Sequence, residues 1–132
     1  MGIAIIGTGW GARVQVPAFR SAGLEVVALA GSDAAKTERI AGELGVASST
    51  GEWRELLARP DADVVSIVTP PDLHHEITLA MLEAGKHVLC EKPTARDAAE
   101  AEEMLAAAQA RPRQPALIHH ELRFLPALIR PR

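Results

Sequence analysis

Ile3-Ala4-Ile5-Ile6 runs straight into Gly7-Thr8-Gly9-Trp10-Gly11-Ala12, and no other stretch limits the possible folds as tightly. An apolar run this short, closed by a glycine-rich turn, reads as a buried strand entering a helix. Each small residue has a task there. Gly7 permits the turn, Gly9 keeps a Cβ out of the path of a pyrophosphate, and Ala12 lets the helix pack close to the strand. The helix then offers free N–H groups and a positive dipole end to phosphates. The segment predicts a dinucleotide site on a strand-turn-helix unit.

Short apolar runs continue to alternate with stretches of helical period. Strands are predicted near residues 2–7, 25–30, 64–68, 86–90 and 115–120, with a weaker one near Val46. Leu73, Ile77, Ala80, Met81 and Ala84 form one apolar stripe, and Trp53, Leu56 and Leu57 a shorter one, both predicted to face the sheet. Ala98, Ala101, Leu105 and Ala108 form another, on a helix that Thr94 is placed to cap, with Asp97 near its positive end. A helix from about Asp33 to Leu44 has Asp33 as its cap and Gly45 as its terminator. The pattern is α/β, a Rossmann-like doubly wound parallel sheet in a single domain. With 132 residues, the expected division is a dinucleotide-binding domain over 1–120 and the start of a connection over 121–132.

Charge and composition exclude several partners. A net charge of −3 gives no basic footprint for nucleic acid, and the sequence shows neither a signal peptide nor an apolar run of membrane-spanning length. The one cysteine, Cys90, fits a reducing cytoplasm and a core position on a strand. The five histidines include two adjacent pairs, His74-His75 and His119-His120, but no pair at i, i+4, so no metal site is expected. His87 reads as a strand residue with a satisfied hydrogen bond.

Two loops carry chemistry. In Gly85-Lys86-His87-Val88-Leu89-Cys90-Glu91-Lys92-Pro93 an acid and a base follow an apolar strand at once. The carboxyl ends of parallel strands open into the ligand crevice, so Glu91 and Lys92 are expected to project into it, with Pro93 restricting the backbone of Lys92. After the second strand comes Ala30-Gly31-Ser32-Asp33, with Gly31 where an acid for the adenosine ribose often stands. Without that carboxylate, Ser32 and Lys36 can hold a 2′-phosphate, which favours NADP over NAD. The alternative gives the ribose to Asp33 and leaves Lys36 in solvent.

Taken in order, Gly7 to Ala12, Thr69-Pro70-Pro71-Asp72-Leu73-His74, the run from Ala84 to Pro93, and Arg123-Phe124-Leu125-Pro126 resemble the amino-terminal domain of the Gfo/Idh/MocA oxidoreductases. That family includes glucose-fructose oxidoreductase and inositol dehydrogenases. The resemblance implies a carboxy-terminal α/β domain that this chain lacks, and hydride transfer between NADP or NAD and a hydroxyl or carbonyl of a sugar-like or polyol substrate. It implies Gly7, Thr8, Gly9 and Trp10 along the pyrophosphate, and Thr69, Pro70 and His74 beside the cofactor. Glu91 and Lys92 would lie near the nicotinamide, and Arg123 at the seam with the second domain. Lys92 would exchange a proton with the substrate, its charged form disfavoured in a poorly solvated cleft. The chain alone is then expected to bind cofactor but to be incomplete for catalysis, needing a second domain or a homo-oligomer. The competing reading is a non-catalytic dinucleotide sensor or assembly module. FAD or S-adenosylmethionine on the same fold is disfavoured, since neither needs Glu91-Lys92-Pro93.

Overall fold

A computed structural model describes residues 1–124. Leu125 and Pro126 of the motif quoted above, and the rest of the expected connection to residue 132, lie outside the described residues. The elements in chain order are β1 (Gly2–Ile6), α1 (Trp10–Ser21), β2 (Glu25–Ala30), α2 (Ala34–Glu43), β3 (Ser49–Thr50), β4 (Val64–Ile67), α3 (His74–Glu83), β5 (His87–Glu91), α4 (Ala98–Gln109) and β6 (Ala116–His119). Short 3₁₀ turns at Trp53–Ala58, Pro71–Leu73 and Glu121–Phe124 complete the set. All the strand pairs are parallel, in the order β3-β2-β1-β4-β5-β6. This is the doubly wound Rossmann arrangement, whose strand order reverses between β1 and β4.

Alternation along β1 builds a core on each face of the sheet. Ile3 and Ile5 pack with Ala12, Val16, Ile40 and Ala41 under α1 and α2. Ala4 and Ile6 pack with Leu56, Ile77, Met81 and Met104 on the opposite face. Burying each Ile or Leu contributes roughly 1.5–3 kcal/mol, so β1, buried along its whole length, anchors both layers. Gly7 leaves the strand at φ 132, where an added Cβ would lie 2.4 Å from the Val68 carbonyl oxygen. Only glycine fits that turn.

Most of the predicted strands fall where the apolar runs are, and the structure corrects several details. The weak strand near Val46 is not one. Val46 packs against Ile40 and Ala41 just after the turn at Gly45, and the pairing residues are Ser49 and Thr50. The α4 helix is capped by Asp97, whose carboxylate accepts from the Glu100 N–H, and not by Thr94, which lies three residues before it. Met104 carries that helix's burial, while Leu105 is 57% exposed. Trp53–Ala58 winds as a 3₁₀ turn, and Ala84 stands exposed just beyond α3. His87 Nδ1 is buried without a hydrogen-bond partner, contrary to the satisfied bond expected. Cys90 is a core residue whose thiol burial pushes up to about 11.

Candidate dinucleotide-binding site

The carboxyl ends of β1 and β4 part at the point where the strand order reverses, and a cleft of about 630 Å³ opens there. The Gly7 N–H donates to the Ala30 carbonyl at 2.9 Å and the Val68 N–H to the Ile6 carbonyl at 2.8 Å, fixing the three strand ends around it. Gly7, Thr8 and Gly9 form its floor, Gly31 and Ser32 one flank, and Val68, Thr69 and Pro70 the other. A Cβ on Gly9 would meet nothing within 4 Å. No protein atom fills the place of a side chain there, so the open space is what a ligand's phosphates would use. Thr69 Oγ1 is buried without a partner, a hydroxyl left for a ligand group. Together these observations fit a dinucleotide.

Trp10, the first residue of α1, is 53% exposed, with its ring 6.3 Å from that of His119. Ala12 is fully buried as expected for close packing. Gly11, which the motif reading passed over, carries the tighter constraint, because its Cβ would lie 2.6 Å from Val68 Cβ.

Other predicted residues are placed differently. His74 is 1% exposed and sits behind the cleft wall, with Nδ1 2.8 Å from the Pro93 carbonyl oxygen and Nε2 2.9 Å from that of Thr69. Both nitrogens are used on backbone, so it clasps the Pro93 loop to the end of β4 and has no nitrogen free for a cofactor. Lys36 is exposed on α2 and does not line the cleft; its backbone N–H donates to Asp33 Oδ1 at 2.9 Å. Asp33 is thereby engaged as the helix cap. Arg123 is exposed on the last turn, stacked 5.7 Å from the Phe124 ring.

Glu91 does not project into the crevice. It is 8% exposed and accepts from Gln15 Nε2 at 3.2 Å and from His119 Nδ1, while Ser66 Oγ donates to Gln15 Oε1 at 2.7 Å. A buried carboxylate needs such partners, and this chain ties α1, β4, β5 and β6 together. Gln15 and Ser66 were not singled out from sequence, and His119 was weighed only as a metal ligand, because nothing in their spacing relates the three. Lys92 is 56% exposed, its Nζ 3.9 Å from Glu121 Oε1. The poorly solvated surroundings expected for it are not formed, because no described element covers that side chain. The Glu121 carboxyl is held below its usual range by its own backbone N–H and, beyond that, by the Lys92, His119 and His120 charges. Glu91, His119 and Glu121 offer ligand atoms within 4.8 Å of one another. Glu91 Oε1 already accepts from Gln15 Nε2, and Glu121 Oε1 lies 3.9 Å from Lys92 Nζ.

Fold, floor and orphaned hydroxyl together define a Rossmann domain built for a dinucleotide. The chain belongs to the Gfo/Idh/MocA oxidoreductase family, an oxidoreductase family with an NAD-binding Rossmann fold, which it matches over residues 1–119. It is 37% identical over 129 residues to human glucose-fructose oxidoreductase domain-containing protein 2, covering 98% of this chain and 33% of the relative. The crystal structure of an NAD binding oxidoreductase from Klebsiella pneumoniae superposes with a TM-score of 0.90 at 36% identity, over 97% of this chain and 36% of that one. A 3-ketoreductase from Actinomadura kijaniata, solved as a mutant with TDP-benzene and NADP, gives 0.80 at 31% identity, over 90% and 37%. The chain thus spans about a third of the length of these relatives. Among the described residues no helix is long and apolar enough to cross a membrane.

Proposed function

We propose that this chain is the nicotinamide-dinucleotide domain of an oxidoreductase acting on a hydroxyl or carbonyl of a sugar-like or polyol substrate. The observation that carries the reading is the cleft at the strand-order reversal, open above Gly9 and lined by an unpartnered Thr69 hydroxyl. The Gly7 to Gly9 backbone and the start of α1 hold the pyrophosphate. Thr69 and Pro70 position the nicotinamide half, which supplies the hydride acceptor or donor when bound. Lys92, at the end of β5, gives a proton to the substrate oxygen in carbonyl reduction and takes it in the reverse direction. Ser32 in the cleft, with no acid at Gly31, favours NADP; the family's NAD-binding description and the NADP-bound relative fit either form.

In the complete enzyme, Lys92→Met is expected to lower kcat by about a hundredfold or more, the usual scale for losing a general acid or base. Cofactor affinity should move far less, since backbone groups hold the phosphates. A normal kcat removes Lys92 from the mechanism. The 132-residue chain by itself is expected to bind dinucleotide without turning over, because Lys92 is 56% exposed and nothing described holds a substrate against it. Robust turnover by that chain contradicts the assignment of substrate binding to the remainder of the enzyme.

A further inference from the structure

The sequence places the choice between NAD and NADP on the loop after β2, but the geometry moves it to the neighbouring strand. A Cβ at Gly31 would lie 2.5 Å from Thr37 Oγ1 and 2.7 Å from Thr8 Cγ2. No carboxylate can be set there without displacing both threonines. Lys36 points no charge into the cleft lining. The charged side chains that do line this end, Glu52 and Arg54, follow β3. They reach it because Thr50 pairs with Ala30 and the Gly31 N–H donates to the Thr50 carbonyl at 3.1 Å, which brings the Gly51 turn alongside Ser32.

Arg54 is half exposed and lightly held. Its Nη1 lies 3.2 Å from Glu52 Oε1 and its Nη2 pairs with Glu76, both partners being about half exposed. Ion pairs this open to water contribute little and exchange readily. The guanidinium lies over the Trp53 ring, 4.4 Å from its centroid, which keeps the fork flat at the cleft's edge. A doubly charged 2′-phosphate would compete well for such a fork, through two charge-assisted hydrogen bonds. We propose that Arg54 is the receptor for the 2′-phosphate of NADP, with Glu52 as the carboxylate that holds it in reserve. Glu52 opposes the phosphate by its charge, so the pair tunes selectivity in both directions. The proposal rests on the reading that the cleft takes a nicotinamide dinucleotide.

Isothermal titration of the 132-residue chain with NAD and with NADP tests it. Arg54→Ala is expected to raise the NADP dissociation constant tenfold or more while that for NAD changes less than threefold. Arg54→Lys, which keeps the charge and loses the fork, should fall between wild type and Arg54→Ala for NADP. Glu52→Gln retains an acceptor for the Arg54 N–H, which Glu52 Oε1 now receives at 3.0 Å, and should tighten NADP at least threefold without tightening NAD. Equal losses for both dinucleotides across the two Arg54 variants, no loss for either, or weaker NADP binding by Glu52→Gln overturns the proposal. So does wild-type protein that binds NAD but not NADP. Wild-type protein that binds neither overturns the dinucleotide reading itself.

Discussion

Two threonine side chains decide what residue 31 can be, and an open space decides what residue 9 can be. At Gly31 the neighbours are protein, Thr37 and Thr8, so glycine serves packing as well as any ligand. At Gly9 the neighbours are absent within 4 Å, so a side chain there costs the fold little and the ligand everything. Gly9→Val is therefore expected to leave the thermal unfolding midpoint within a few degrees of wild type while abolishing NAD and NADP binding, measured by calorimetry. Retained affinity would move the pyrophosphate elsewhere. The glycine turn was legible because its chemistry is local, set by backbone and by the absence of Cβ. Glu91 and His74 were not. Each sits in a motif that suggests a ligand, yet each is buried against partners brought from distant elements, Gln15 and His119 for one, the Thr69 and Pro93 carbonyls for the other. Arg54 escaped notice for the same reason, since only the β2-β3 pairing puts it beside Ser32.

Among the elements, those with strong apolar period were legible to within a residue or two at their ends, as β2 at Glu25–Ala30 and α2 at Ala34–Glu43 illustrate. The two-residue β3 was misplaced because Val46 supplies the apolar signal while Ser49 and Thr50 supply the pairing. The start of α4 was misjudged between two good capping residues. Thr94 and Asp97 both suit a cap, and the structure chooses Asp97, with the Glu100 N–H bonded to its carboxylate at 3.0 Å. Asp97→Ala should then cost about 1 kcal/mol, which in a domain of this size lowers the midpoint by roughly 3–5 °C. Thr94→Ala should shift it by far less. Differential scanning calorimetry separates the two, and a larger loss from Thr94→Ala would return the cap to the earlier residue.

On the scale of the whole molecule, the doubly wound class follows from the alternation of runs, whereas the placing of side chains around the cleft depends on strand order. Cys90 reports on that sheet as a unit. Burial raises its thiol from 9.0 to about 11, so a folded chain at about pH 8 carries roughly one thiolate per thousand molecules at that site. Iodoacetamide should label Cys90 only at the rate set by global opening, and faster in mild urea; rapid labelling with intact circular dichroism would contradict its burial. An unfolded chain releases the thiol proton near 9.0 and the folded chain near 11. The fold therefore loses stability as pH climbs from 9 towards 11, and Cys90→Ala should flatten that decline. The place of β1 in the sheet has a consequence for synthesis. β1 is flanked in the finished sheet by residues made some twenty and sixty positions later. It pairs with β2 early and waits for β4 to cover its other edge. Gly2 already belongs to that strand, its N–H bonded to Asp63 at 2.8 Å and its Cα too close to the Asp61 carbonyl for any side chain. A protease that trims past Met1 therefore removes not a loose end but the axis of the sheet.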